Sequence, residues 1–209
     1  MSQLWIKICG ITQSSDAIAA VDSGADAVGL VFYHKSVRAI SPGQIGSIVK
    51  GINGQSKVVA LFVDPNVAEV ETVLDSNYID MLQFHGAETP EFCASFGLPY
   101  MKAVAVKNAE DVRRSIAPYD SADLILLDSY SDKVPGGTGK VFDWDIAKAI
   151  VETSDSKIVI AGGLNPENVQ SAVSIINPFG IDVSSGVESS YGIKDSKKVK
   201  AFITGARSV

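Results

Sequence analysis

Short continuous apolar runs alternate with amphipathic stretches from one end of the chain to the other. The apolar runs are Leu4–Ile8, Ala27–Phe32, Lys57–Val63, Ile79–Phe84, Tyr100–Val106, Leu124–Leu127, Ile158–Ala161 and Gly180–Val183. After each comes a segment with apolar residues at helical spacing: Ser14–Ser23, Ile45–Ile52, Val67–Leu74, Glu88–Phe96, Asn108–Ala117, Asp143–Val151, Pro166–Ile175 and Ser196–Ile203. In the second of these, Ile45, Ile48, Val49 and Ile52 share one face. A strand covered on both faces needs no polar alternation, so the pattern predicts parallel strands packed under helices. Four dipeptides mark helix starts: Ser41-Pro42, Asp64-Pro65, Thr89-Pro90 and Asn165-Pro166. Each sets a capping side chain before a proline, whose missing N–H would have no partner in a first helical turn anyway. Each pair follows a predicted strand, so the repeat runs strand then helix.

Eight such units in 209 residues predict an α/β fold, a single (β/α)8 TIM barrel spanning residues 1–209. A doubly wound open sheet is the alternative. The count of eight, and the lack of G-x-G-x-x-G after the first run, weigh against it. In a barrel of this kind the chemistry lies at the C-terminal ends of the strands. The residues that close each apolar run therefore become the candidates.

Composition narrows the partners. The net charge is −6 with no basic block, which makes a poor surface for nucleic acid. An anionic ligand must then be held by backbone N–H groups and one or two placed cations. Two cysteines, Cys9 and Cys93, are too few for a disulfide framework, and no Cys/His spacing suggests a metal. No cofactor is expected. The start of the chain reads as a strand rather than a signal peptide, and no run reaches the roughly 18 apolar residues of a membrane span. A soluble cytoplasmic setting with no membrane partner is expected; the oligomeric state, monomer or homodimer, stays open.

Cys9 closes the first strand. It reads either as a small buried hydrophobe or as a base or nucleophile at the barrel mouth. Lys7 stands two residues back on the same side and could favour the thiolate. Cys93, among Phe92 and Phe96, reads as core. After the second strand, Lys35, Ser36 and Arg38 form a possible carboxylate or phosphate clamp, Arg38 being best suited because its planar fork matches a carboxylate. His85 follows the fourth strand as a proton donor or a hydrogen-bonding wall residue, and Asp128 follows the sixth. As a general acid, Asp128 needs its pKa raised from about 3.9 by burial or like charge. Cys9 and Asp128 come from nearly opposite points of the ring, an arrangement that suits proton-transfer isomerisation. The stretch Ser129–Lys140 is long and glycine-rich and reads as a mobile lid, not a P-loop. Gly162-Gly163 after the seventh strand and Ser185-Gly186 after the eighth read as a phosphate cradle.

Several of these segments together resemble the phosphoribosylanthranilate isomerase family: Lys7-Ile8-Cys9-Gly10-Ile11-Thr12, Gln83-Phe84-His85-Gly86, Leu127-Asp128, Gly136-Gly137-Thr138-Gly139, Ala161-Gly162-Gly163-Leu164 and Asp182-Val183-Ser184-Ser185-Gly186-Val187-Glu188. One segment departs from the family: its usual Ser-Pro-Arg is here Ser36-Val37-Arg38. The resemblance implies a (β/α)8 barrel and a cofactor-free Amadori rearrangement in tryptophan biosynthesis. The substrate is N-(5-phosphoribosyl)anthranilate and the product 1-(2-carboxyphenylamino)-1-deoxyribulose 5-phosphate. It further implies Asp128 as acid, Cys9 as base and Arg38 on the anthranilate carboxylate, with Asp182 and His85 on sugar hydroxyls or the site wall. Rival readings remain. A non-catalytic phosphosugar-binding barrel would keep the two turns without needing Cys9 to face Asp128. The histidine-pathway aminoaldose-ketose isomerase has a similar layout with an aspartate where Cys9 stands, and indoleglycerol phosphate synthase relies on lysine and glutamate.

Overall fold

In a computed structural model, described for residues 4–129 and 144–209, eight parallel strands close into a barrel in the order of the chain. They are β1 (Trp5–Cys9), β2 (Ala27–Val31), β3 (Lys57–Phe62), β4 (Met81–Phe84), β5 (Tyr100–Val106), β6 (Leu124–Ser129), β7 (Ile158–Ile160) and β8 (Gly180–Val183). The seam joins β8 to β1, with Lys7 opposite Asp182. Around the barrel lie α1 (Ser14–Asp22), α2 (Ile45–Val49), α3 (Val67–Leu74), α4 (Pro90–Ala94), α5 (Ala109–Ile116), α6 (Trp144–Thr153), α7 (Val169–Ile176) and α8 (Ser196–Ala206). The barrel expected from the alternating pattern is the barrel observed.

The two-residue period of a strand sorts every side chain to one side of the wall. On β6, Ile125 and Leu127 face the helices while Leu124 and Leu126 fill the barrel interior with Met101, Ala103, Val159 and Ala161. On β1, Ile6 and Ile8 pack outward. Cys9 points inward at the mouth beside Val31 and Leu61. The parity that buries Leu124 and Leu126 therefore brings Asp128 inward as well. Cys93 is fully buried in the outer layer, as its apolar surroundings predict.

The proline junctions divide. Thr89 caps α4, accepting from the Phe92 N–H, with Pro90 in the first turn, and Ser41 forms a capping box with Gln44 on a 3₁₀ turn at Pro42–Gln44. Asn165 accepts from the N–H groups of Glu167 and Asn168, capping a turn just ahead of α7. Asp64 is not a cap. It adopts a positive φ of 48°, and its carboxylate accepts from the Ala87 N–H at 2.6 Å, so it ties two loops together. The helix start belongs instead to Asn66, in a reciprocal capping box with Glu69. After β8 the chain adds a short antiparallel hairpin that the hydrophobic pattern does not announce: β9 (Glu188–Ser190) and β10 (Ile193–Lys194). The glycine-rich stretch expected to form a lid falls almost wholly outside the described residues.

Candidate active site

A cavity of about 220 Å³ opens at the C-terminal end of the barrel. Cys9, Arg38, His85, Asp128, Gly162, Gly163, Asp182, Ser185 and Gly186 all line it. Of the described residues read as candidate site residues, Lys7 alone stays off the cavity wall. Its side chain is fully buried below Cys9, and its Nζ lies 2.8 Å from Asp182 Oδ2. The interior carboxylate of Asp182 takes its charge, so Lys7 reaches Asp182 and Cys9 rather than the cavity.

Cys9 depends on its neighbour across the strand. It pairs with Gly29 of β2, where a Cβ would lie 2.7 Å from the sulfur and 3.1 Å from the Lys7 Cε. Glycine thus makes room for both side chains. Burial pushes the Cys9 thiol above its ordinary range, the nearby Lys7 cation pulls it down, and Asp182 adds to the rise. The net direction is upward, because desolvation outweighs the pull of Lys7. Burial likewise works against the Lys7 charge, but attraction to Asp182 and Cys9 overcomes it and raises that pKa.

Across the cavity, Asp128 is almost fully buried. One oxygen accepts from the Ser129 N–H at 2.8 Å, and the other lies 3.2 Å from His85 Nε2. His85 Nδ1 in turn lies 3.3 Å from the Gln83 side-chain nitrogen, and Gln83 is buried beneath it. The imidazole is therefore held at both ring nitrogens, by β4 on one side and by Asp128 on the other.

The two glycine turns meet. Gly162 and Gly163 have φ of 82° and 69°, a region costly for residues with a Cβ. A Cβ on Gly186 would run into the Leu164 carbonyl oxygen, so the turn after β8 packs directly against the turn after β7. Leu164, Ser184 and Ser185 line the cavity beside these glycines. Gly186→Ala is expected to weaken inorganic phosphate binding about tenfold and to cost about 1–3 kcal/mol of stability by overpacking. Phosphate titration and thermal melting check both effects.

Comparison with known proteins agrees with this geometry. Residues 6–205 match the family model described as N-(5'phosphoribosyl)anthranilate (PRA) isomerase. The chain belongs to that family. The isomerase of Pseudomonas fluorescens (strain SBW25) is 46% identical over 207 residues, covering 99% of this chain and 97% of its own. The crystal structure of phosphoribosyl anthranilate isomerase from Thermotoga maritima superposes with a TM-score of 0.90 at 39% identity, covering 99% of this chain and 100% of its own. A further isomerase structure, solved with reduced 1-(o-carboxyphenylamino)-1-deoxyribulose 5-phosphate, aligns with a TM-score of 0.85 at 38% identity over 99% of this chain and 100% of that one. The chain is thus an isomerase of tryptophan biosynthesis that converts N-(5-phosphoribosyl)anthranilate to 1-(2-carboxyphenylamino)-1-deoxyribulose 5-phosphate. The binding-only reading and the other barrel enzymes fall away.

Two charged residues of this isomerase escaped the sequence reading. Glu188 holds Arg38 in a two-point ion pair, and Lys194 holds Glu188 from the other side. Glu188 stands in the quoted Ser-Ser-Gly-Val-Glu segment, but nothing along the chain says that it reaches the loop after β2. Among the described residues no helix is long and apolar enough to cross a membrane.

Proposed function

We propose that this isomerase works by paired acid and base across the barrel mouth, with Asp128 as the acid and Cys9 as the base. The observation that carries the reading is the placement of the two groups: both are inward-facing and both line one cavity, from strands well apart on the ring. Asp128 protonates the ribose ring oxygen, the C1–O bond breaks, and the anilino nitrogen supplies electrons to form an iminium. Cys9, as thiolate, removes the C2 proton, and those C–H electrons neutralise the iminium to give the enolamine. Proton transfer from the C2 hydroxyl to C1 then yields the ketone. Lys7 steadies the thiolate from beneath. Asp182, with one oxygen on Lys7, keeps its other oxygen for a sugar hydroxyl. Gly162, Gly163, Ser185 and Gly186 surround the 5-phosphate, a group present in the ligand named for the complexed relative. His85 orients Asp128 through the contact between them. An intermediary of amino-acid synthesis, with two unpaired cysteines, fits the cytoplasm.

Arg38 takes the anthranilate carboxylate in this reading. Arg38→Ala is expected to raise KM about 10- to 100-fold, the worth of a charge-assisted hydrogen bond, with a smaller effect on kcat. Steady-state kinetics with N-(5-phosphoribosyl)anthranilate test it. Unchanged KM and kcat would remove Arg38 from the substrate site.

A further inference from the structure

Behind Arg38 in the cavity wall lies a charge cluster that the proton transfers leave unused. Arg38 Nε and Nη2 donate to Glu188 Oε1 and Oε2 at 2.6 and 2.7 Å. The arginine side chain is 13% exposed and the glutamate 5%. Lys194, fully buried, lies 2.9 Å from Glu188 Oε1 and also donates to the Ser184 carbonyl at 3.1 Å. The hairpin that carries Glu188 and Lys194 is itself fastened. The Lys194 N–H donates to Asp16 on α1 at 2.8 Å, and the Thr12 hydroxyl donates to the Gly192 carbonyl at 2.6 Å. Burial would raise the Glu188 carboxyl, but the hydrogen bond from Arg38 and the charge of Lys194 outweigh it and hold the carboxyl below its usual range. Glu188 is therefore a fixed anion.

A guanidinium has five N–H donors. The edge formed by Nε and Nη2 is taken by Glu188, so a substrate carboxylate must use the edge formed by Nη1 and Nη2. A charge pair buried this deeply is costly to break, because either partner left alone is desolvated without compensation. Arg38 therefore stays on Glu188 while it binds.

We infer that Glu188 is a positioning residue for recognition of the substrate's aryl carboxylate: by holding the inner edge of Arg38 it aims the outer edge into the cavity. The inference rests on the reading of Arg38 above. It gives the hairpin a function in specificity. Aryl amines bearing an ortho carboxylate meet a preset fork, and those lacking it leave that fork unpaired.

The test measures kcat, KM and the dissociation constants of two probes, reduced 1-(o-carboxyphenylamino)-1-deoxyribulose 5-phosphate and inorganic phosphate. Glu188→Gln is expected to raise KM about 10-fold or more and to weaken the reduced ligand to the same degree, with kcat nearly retained and phosphate affinity unchanged. In an Arg38→Ala background the same substitution should add nothing, since both act through one fork. If Glu188→Gln leaves the reduced ligand unaffected or tightens it, Glu188 is a competitor that Arg38 must leave, and the inference is overturned. An equal additional loss in the Arg38→Ala background would assign Glu188 to the fold alone and overturn it too. Should Arg38→Ala itself not weaken the reduced ligand, the reading of Arg38 fails first. If Glu188→Gln loses phosphate binding through misfolding, Glu188→Asp, which keeps the charge on a shorter arm, takes its place with an intermediate loss expected.

Discussion

Cys9→Ala is expected to lower kcat by about 10²- to 10⁴-fold, the usual worth of a positioned proton-transfer group, while inorganic phosphate binds as before. The substitution removes the sulfur and leaves the backbone of β1 in place. Cys9 pairs with Gly29 across the ladder, so the residue directly opposite has no side chain to lose contact, and Val31 and Leu61 are the apolar neighbours left beside the smaller methyl group. The glycine turns proposed to hold the phosphate follow β7 and β8 and do not depend on it either. Steady-state turnover and phosphate competition separate the two effects, and full activity in the variant would sink Cys9 as the base. A second consequence is a pH profile. Burial, opposed by Lys7 and reinforced by Asp182, lifts the thiol above its ordinary range. The base is the deprotonated form, so kcat/KM for the wild-type chain should climb with pH through an apparent pKa above that of a free thiol. Cys9→Ala should abolish this limb. A limb that survives belongs to another group.

Asp128→Asn should cost a similar 10²- to 10⁴-fold in kcat, again with phosphate affinity unchanged. Asparagine is nearly isosteric, and its side-chain oxygen can still accept from the Ser129 N–H. What it lacks is an acidic proton for the ring oxygen, so ring opening stalls and the C2 proton is never made acidic by an adjacent iminium. The variant therefore tests chemistry rather than architecture. Rate measurement on purified protein is sufficient. Retention of full turnover would place the acid elsewhere, with His85 next in line because it lies 3.2 Å from the same carboxylate.

These two residues were legible in the sequence because strand parity carries so much information. Once Leu124 and Leu126 are assigned to the barrel interior, Asp128 must follow them inward. Barrel topology then places any inward residue at the end of its strand near the site. The glycine turns were legible for a related reason: backbone close enough to wrap an anion, or to touch another turn as at Gly186 and Leu164, tolerates little else. Interactions between residues far apart in the chain were not legible. Nothing in the hydrophobic pattern links Arg38 to Glu188, which are separated by 150 positions, or marks β9 and β10, which are too short and polar to register. Lys7 is a different case. Its direction was read correctly, but whether it activates Cys9 depends on a balance of burial, Asp182 and the thiol itself. Asp64 shows the local version of the problem, since an Asp-Pro pair looks the same whether the carboxylate caps a helix or braces a neighbouring loop.

The hairpin after β8 also dictates the order in which the site can become competent during synthesis. Cys9 and Arg38 emerge from the ribosome early, whereas Glu188 and Lys194 lie close to the last helix. A nascent chain that already displays Cys9 has no β8 to close the ring, no Ser185-Gly186 turn and no Glu188 to brace Arg38. Domains fold as units while translation proceeds, at about 5–20 residues per second. This enzyme therefore completes its site only after the segment from β8 through the hairpin has emerged and docked against α1.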